Sequence, residues 1–479
     1  MAIDVEECLR AHPLDGVVLL GNCDKTIPAQ LMAAASADLP AIQVAGGTRR
    51  AGVFRGRRLA GPTDLWRFWE QRRAGEIDDA TWEEVEACLG CSLGACNSMG
   101  TAATMALVTE ALGMMLPGTA AIPAEDPRRV AAAEASGRRI VGLVQEDLRP
   151  SAILTPAAFD NALAVLAAIG GSTNAVIHLC AIAGRRAVPL PLERFAEIGR
   201  RVPMIVDVEP SGHALIDAFD AAGGLPAVLA EIADHVTFDV VTVGDGPLAD
   251  VVAGAAPRTP DGVIRPREHA LFASGGIAVA RGSLAPDGAI MKVSAASPEL
   301  LRHRGPAVVF DGYEDMQARV DHPDLDVTAD SVLVMAGCGP VGVPGMPEWG
   351  MVPIPAKLAR AGVRDMARVT DGRMSGTSFG TVLLHAAPEA AAGGPIGLVR
   401  DGDVIEWDIP AGRADLLVSD DELAARRAAA PPPRSAHVRG WPLLYQQHVM
   451  QAPDGCDLDF LRAATPAHLP FVEPVVGRS

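Results

Sequence analysis

Val17-Val-Leu-Leu-Gly-Asn-Cys-Asp-Lys-Thr26, with Pro28 close behind, is the stretch on which the reading of this chain turns. Four consecutive apolar residues predict a strand, and Gly21 ends it. Residues 28–37 have helical, Ala- and Met-rich composition. Pro40-Ala-Ile-Gln-Val-Ala45 predicts a second strand ending at Gly46-Gly47. A compact strand–helix–strand unit favours a parallel sheet covered on both faces, in an α/β fold. Residues 3–11 read as a helical segment leading into the first strand. The loop 21–26 carries a soft sulfur donor, a hard carboxylate, an amine and a hydroxyl at a strand's carboxyl end, where open α/β sheets place ligands. It is the expected meeting point of two metal centres.

The chain has 479 residues, which sets a prior of two domains and a sizeable core. Aromatics make up only 4%, so that core must come mostly from Ala, Val, Leu, Ile and Met. A formal net charge of -18 argues against a nucleic-acid partner, which would need clustered Lys and Arg. It does not exclude an anionic substrate, because a cleft can be locally positive. The N-terminus is acidic where a signal peptide would be basic, and no apolar run has membrane-spanning length, so a cytoplasmic protein is expected. Eight cysteines in a reducing compartment point to metal binding or burial rather than disulfides.

Further along, residues 63–87 are polar, with Trp66, Trp69 and Trp82 among charged pairs at helical spacing. Cys88, Cys91 and Cys96 then fall among glycines. Helices are predicted over 101–115, 156–169 and 175–184, the last carrying His178 and Cys180. Phe238–Val243 reads as a strand, and the Pro-, Gly- and Arg-rich 254–268 as an interdomain linker. Short β-type runs follow at 276–280, 306–310, 331–336, 366–370, 396–399, 403–409 and 415–419. They predict a β-rich second domain, with domains over 1–265 and 266–479. Ala428-Ala-Ala-Pro-Pro-Pro433 reads as a surface linker.

Burial as small hydrophobes is the expected role of Cys8, Cys180, Cys338 and Cys456. The Cys-x-x-Cys at 88–91 fits zinc, a redox pair or an iron–sulfur cluster equally. Asp24 and Lys25 form either a solvated ion pair or part of a cation site. Lysine is a ligand only if converted to an anion. Ser375, in Thr370-Asp-Gly-Arg-Met-Ser-Gly376, is either a turn residue or a base activated by nearby positive charge, from a metal ion or Arg373.

These stretches resemble the dihydroxy-acid and sugar-acid dehydratase family (the IlvD/Edd hydro-lyases). The motifs carrying the likeness are Cys23-Asp-Lys-Thr26, Gly94-Ala-Cys-Asn-Ser-Met-Gly-Thr-Ala102 and Gly170-Gly-Ser-Thr-Asn-Ala-Val-Ile-His-Leu179. Gly282–Gly288, Gly345-Met-Pro-Glu348, Thr370–Gly376 and Pro388-Glu-Ala with Gly393-Gly-Pro continue it in order. The resemblance implies an N-terminal α/β domain, a C-terminal swivelling β-barrel-like domain and a homodimer. It also implies a [2Fe–2S] cluster with one under-ligated iron beside a Mg²⁺ ion. Carried over, Cys23 and Cys96 match cluster ligands. Asp24, Lys25 (carboxylated in the family) and Glu348 match Mg²⁺ ligands, and Ser375 matches the base; Cys88 and Cys91 match no ligand. The implied reaction removes water from a 2,3-dihydroxy acid: Ser375 takes the C2 proton, the iron assists loss of the 3-hydroxyl, and the enol becomes a 2-oxo-3-deoxy acid.

Family members carry a segment before the first strand that supplies another cluster cysteine and a Mg²⁺-binding aspartate. This sequence lacks it, and Cys8 does not match it. The expectation is a misassigned start or a truncated, incomplete site; a non-catalytic remnant is the contrasting reading. Asp64-Leu-Trp-Arg-Phe-Trp-Glu70, Arg73–Ile77 and Gly100 after Met99 resemble the aldonate branch. A sugar acid such as a pentonate is therefore the expected substrate, with the valine and isoleucine precursor as runner-up.

Overall fold

The computed structural model describes residues 1–253, 259, 261–430 and 437–463. In the opening unit, β1 (Val17–Gly21) and β2 (Ala41–Ala45) pair in parallel, Val17 opposite Ala41. Helix α2 (Thr26–Ala37) crosses between them, after α1 (Ala2–Ala11). Asp38 ends α2 in the left-handed region, its N–H bonded to the Ala34 carbonyl. Its side chain then accepts the Ser151 N–H, so the turn is fixed from both sides.

The expected doubly covered sheet is reduced to these two strands among the described residues, and helices supply the bulk of the first domain. They include α3 (Pro62–Ala74), α4 (Asp79–Leu89), α5 (Thr101–Ala111), α6 (Pro127–Gln145), α7 (Pro156–Ala168) and α8 (Asn174–Arg185). Helices α5 and α7 are apolar all round and nearly wholly buried, as such composition requires. Their core joins Leu19, Ile42, Leu107 and Phe159. The strand predicted at 238–243 does not form. Val243 donates one backbone hydrogen bond to the Gly113 carbonyl and packs on this core without a ladder partner. Residues 254–258 and 260 of the predicted linker lie outside the described residues. Ile264 is buried and bridges to Val206, so that part of the linker belongs to the first core.

The second domain is built on one eight-stranded sheet. Its strands are β3 (Ala278–Ala280), β4 (Gly288–Met291), β5 (Arg302–Asp311), β6 (Val332–Ala336), β8 (Arg368–Thr370), β10 (Val382–Ala387), β11 (Val404–Asp408) and β12 (Arg413–Leu416). A separate two-residue pair, β7 (Glu348–Trp349) and β9 (Arg373–Met374), stands apart from it. The order is β12-β11-β5-β6-β8-β10-β4-β3, with β5, β6, β8 and β10 parallel and the flanks antiparallel. The two ends meet: Arg281 donates to the Gly412 carbonyl (2.9 Å) and Ala414 to that of Arg281 (2.8 Å). The sheet is thus nearly a closed barrel, which removes exposed edges. Period-two alternation splits β6 between two cores. Val332 and Val334 face Trp407 and Leu383, while Leu333 and Met335 face Phe310 and Met351. Trp66 and Trp69 of α3 pack on the latter side and join the domains. The run 396–399 is a 3-10 turn begun by Pro395 rather than a strand. Residues 431–433 of the predicted Pro-rich linker lie outside the described residues.

Candidate active site

Gly21 releases the chain from β1 into a tight turn in which Thr26 N–H reaches the Cys23 carbonyl, and α2 begins at once. The turn therefore sits at a helix N-terminus, where backbone N–H groups and the helix dipole favour negative charge. Cys96 arrives from a second loop laid along the chain after β2. Ala95 donates to the Gly47 carbonyl (3.0 Å), and Arg49 donates to that of Ala95 (2.8 Å). Gly94, at φ 114°, passes so close to the Thr48–Arg49 backbone that a side chain would collide with it. The same loop runs into α5, whose first residue Thr101 shares a hydroxyl contact with Ser172 (2.8 Å) at the start of α8.

The second domain closes on this platform. Glu348 lies on β7, and β9 pairs with it in parallel, Arg373 opposite Glu348. Asn174 reaches across the domains from the first turn of α8, donating to the Met374 carbonyl and to Thr101 Oγ1 (3.1 Å each). A side chain at Gly376 would strike Ser172 and the Thr101 amide, so only glycine lets this loop dock. The loop before Glu348 is held by two buried carboxylates. Asp371 accepts the Gly337, Cys338 and Ala390 amides, and Glu389 accepts those of Val341 and Gly342. Burial pushes Asp371 up to about 6 and raises Glu389.

Asp24, Lys25 and Glu348 meet directly. Lys25 Nζ pairs with Asp24 and lies 2.8 Å from Glu348 Oε2, although 323 positions separate the two residues. Burial and the neighbouring Asp24 carboxylate push Glu348 up to about 7. Burial also opposes ionisation of Asp24, but its hydrogen bonds to Glu348 and Lys25 hold it well below the usual carboxylate range. The two carboxyls are thus driven in opposite directions, as two acids crowded beside one cation are. Cys23 donates to Asp24 Oδ1 (3.3 Å). Cys96 is pushed up to about 11 by burial, and the charges of Cys23, Asp24 and Glu348 all reach it. Both thiols are free.

Ser375 follows β9. Its N–H donates to the Trp349 carbonyl (2.7 Å), and its Oγ lies 2.8 Å from Thr377 Oγ1 and 3.4 Å from the Thr377 amide. Trp66 Nε1 donates to Thr377 Oγ1 (3.3 Å). Thr377 is a site residue that sequence reading passed over; its spacing of two from Ser375 on a β9 extension was the available signal. Tyr445, which lines a recess beside Lys25, carried no motif at all. Of the other cysteines, Cys180 and Cys338 are buried as expected and Cys456 is half-buried. Cys8 is exposed, because it sits on the outer face of α1, where Glu6 and Leu9 are the buried positions. Cys88 is half-buried, and Cys91 is exposed with its thiol on the Arg50 carbonyl.

The donor set fits the two centres in kind: two thiols on one side, and on the other two carboxylates gathered round the Lys25 ammonium, which stands in for a cation. Among the described residues no group of three or more His, Cys, Asp and Glu side chains converges as a metal site.

The class this defines is a two-domain α/β protein with a mixed thiol and carboxylate site at the domain junction. The chain belongs to the dihydroxy-acid/6-phosphogluconate dehydratase family: residues 1–251 match its N-terminal domain and 262–456 its C-terminal domain. It is 50% identical over 463 residues to an L-arabinonate dehydratase of Rhizobium leguminosarum bv. trifolii, covering 96% of this chain and 80% of that protein. It is 47% identical over 466 residues to a 6-deoxy-6-sulfo-D-gluconate dehydratase of Pseudomonas putida, with 97% and 80% covered. A dihydroxy-acid dehydratase of Thermodesulfovibrio yellowstonii is 40% identical over 457 residues, with 95% and 82% covered.

Proposed function

We propose that this chain is a hydro-lyase that removes water from a 2,3-dihydroxy acid to give a 2-oxo acid, and that the acid is an aldonate such as a pentonate. The observation that carries this reading is the convergence of Asp24 and Glu348, from different domains, on one cationic position beside free thiols. Greater identity to sugar-acid dehydratases than to a branched-chain dihydroxy-acid dehydratase supports the aldonate over the valine and isoleucine precursor. The enzyme is read as a cytoplasmic homodimer; among the described residues no helix is long and apolar enough to cross a membrane.

A [2Fe–2S] cluster held by Cys23 and Cys96, and Mg²⁺ held by Asp24, Glu348 and a carboxylated Lys25, would supply Lewis acidity to the departing hydroxyl and to the substrate carboxylate. Ser375 Oγ takes the C2 proton. Indole N–H is only a donor, so Thr377 Oγ1 accepts from Trp66 and keeps its own proton free to donate to Ser375 Oγ, 2.8 Å away. Once Ser375 is an alkoxide it can only accept, so that hydroxyl and the Thr377 amide both donate to it and favour the anion. The helix N-termini at Thr26, Thr101 and Asn174 favour the anionic substrate and thiolates.

Anaerobically purified chain tests this reading through iron and sulfide analysis together with turnover of L-arabinonate and 2,3-dihydroxyisovalerate. We expect a visible-absorbing cluster and faster turnover of the aldonate. Colourless protein inactive on both acids would overturn the reading for this chain; preference for 2,3-dihydroxyisovalerate would replace the substrate.

A further inference from the structure

Beside Lys25 lies a recess of about 170 Å³ between α2, α8 and the second domain. Its polar walls are Lys25, His178, Arg373 and Tyr445, and its apolar floor includes Met346 and Cys456. Arg373 is 7% exposed. Its Nε donates to the Met346 carbonyl (2.6 Å), the one side-chain hydrogen bond Arg373 makes among the described residues. Neither terminal nitrogen is among the buried unpartnered polar atoms, so both open onto the recess, where an incoming anion can reach them. No Asp or Glu is among the side chains that line the recess. Lys25 is engaged with Asp24 and Glu348. Tyr445 brings a phenol to the recess and His178 an imidazole. His178 Nε2 is buried and without a partner among the described residues. The recess therefore presents a planar pair of donors, a phenol and an imidazole edge, and no carboxylate.

We infer that the recess is an oxyanion site in which Arg373 binds a carboxylate-type anion through its two free terminal nitrogens, with His178 and Tyr445 completing the cradle. A carboxylate matches the fork of a guanidinium in two parallel hydrogen bonds. The volume admits a small acid or bicarbonate. If the anion is the substrate's own carboxylate, the assignment rests on the dehydratase reading and makes Arg373 the residue that orients the acid. If it is bicarbonate, the site stands independently of that reading.

Calorimetric titration of the full chain, purified with chelator, separates these sources when sodium bicarbonate and L-arabinonate are used as separate probes. Saturable binding of either anion, weakened about tenfold or more in Arg373→Met and less in Arg373→Lys, supports the site. Binding of bicarbonate alone assigns the inorganic source; binding of arabinonate assigns the substrate. No binding of either, or equal binding by Arg373→Met, overturns it. Where Arg373→Met fails to fold, phenylglyoxal modification of the native chain with peptide mapping decides: an Arg373 shielded by the anion supports the site, and one modified equally with and without it rejects the site. Because no turnover is read, loss of dehydratase activity leaves these outcomes intact.

Discussion

As the proposed base, Ser375 depends on what donates to its oxygen, because a serine hydroxyl alone is a weak base. The Thr377 amide donates to it, and the Thr377 hydroxyl, which accepts from Trp66, lies 2.8 Å away and can donate to the alkoxide. Ser375→Ala removes the base and touches no buried packing. It should lower kcat by about 10²–10⁴-fold while the melting temperature and the cluster's visible spectrum stay unchanged. Residual activity near wild type would remove Ser375 from the role. At this scale the sequence was readable where residues came in motifs: Cys23, Asp24 and Lys25 are adjacent, and Ser375 sits in a Gly- and Arg-marked turn. Thr377, Tyr445 and the solvent-facing Cys8 were not. Their roles depend on direction and burial, which a spacing pattern does not carry.

Helix starts and strand ends decide where those residues stand. The docking of the β9 loop on α5 and α8 relies on Gly376, whose neighbours Ser172 and Thr101 leave no room for a methyl group. Gly376→Ala should displace Ser375 and lower both activity and stability, the latter by about 1–3 kcal/mol. Thermal denaturation beside turnover distinguishes it from Ser375→Ala, which loses activity alone. Strands with a neighbour waiting were legible, as β1, β2 and β6 show. Residues 238–243 and 396–399 have strand composition but no ladder partner: one packs as extended chain against the first core, and the other is turned by Pro395. β-propensity reports a fit to a half-buried pleated surface, so it overcounts strands wherever another surface serves.

Across the whole molecule, strand β4 joins the cores. Ile290 packs with the first domain and Met291 with the second. Lys292 follows, buried, its amine without a hydrogen-bond partner among the described residues. Burial pushes it down to about 7. Between pH 7 and the ordinary lysine value the unfolded chain holds a proton that the folded chain has lost, so folding stability rises with pH across that window. Lys292→Met should flatten that rise and stabilise the protein at pH 6 by about 1–3 kcal/mol, as read from denaturant unfolding at both ends of the window. The sequence by itself determined the family, the α/β opening unit and the β-rich second half, because motifs and period-two runs are local properties. The resemblance already grouped Glu348 with Asp24 and Lys25; only the tertiary structure decided that Lys25 Nζ and Glu348, 323 positions apart, meet at 2.8 Å and that Arg373 turns toward a recess beside Lys25. Those facts arise from how two domains close on each other, and desolvation and charge pairing exist only once they have closed.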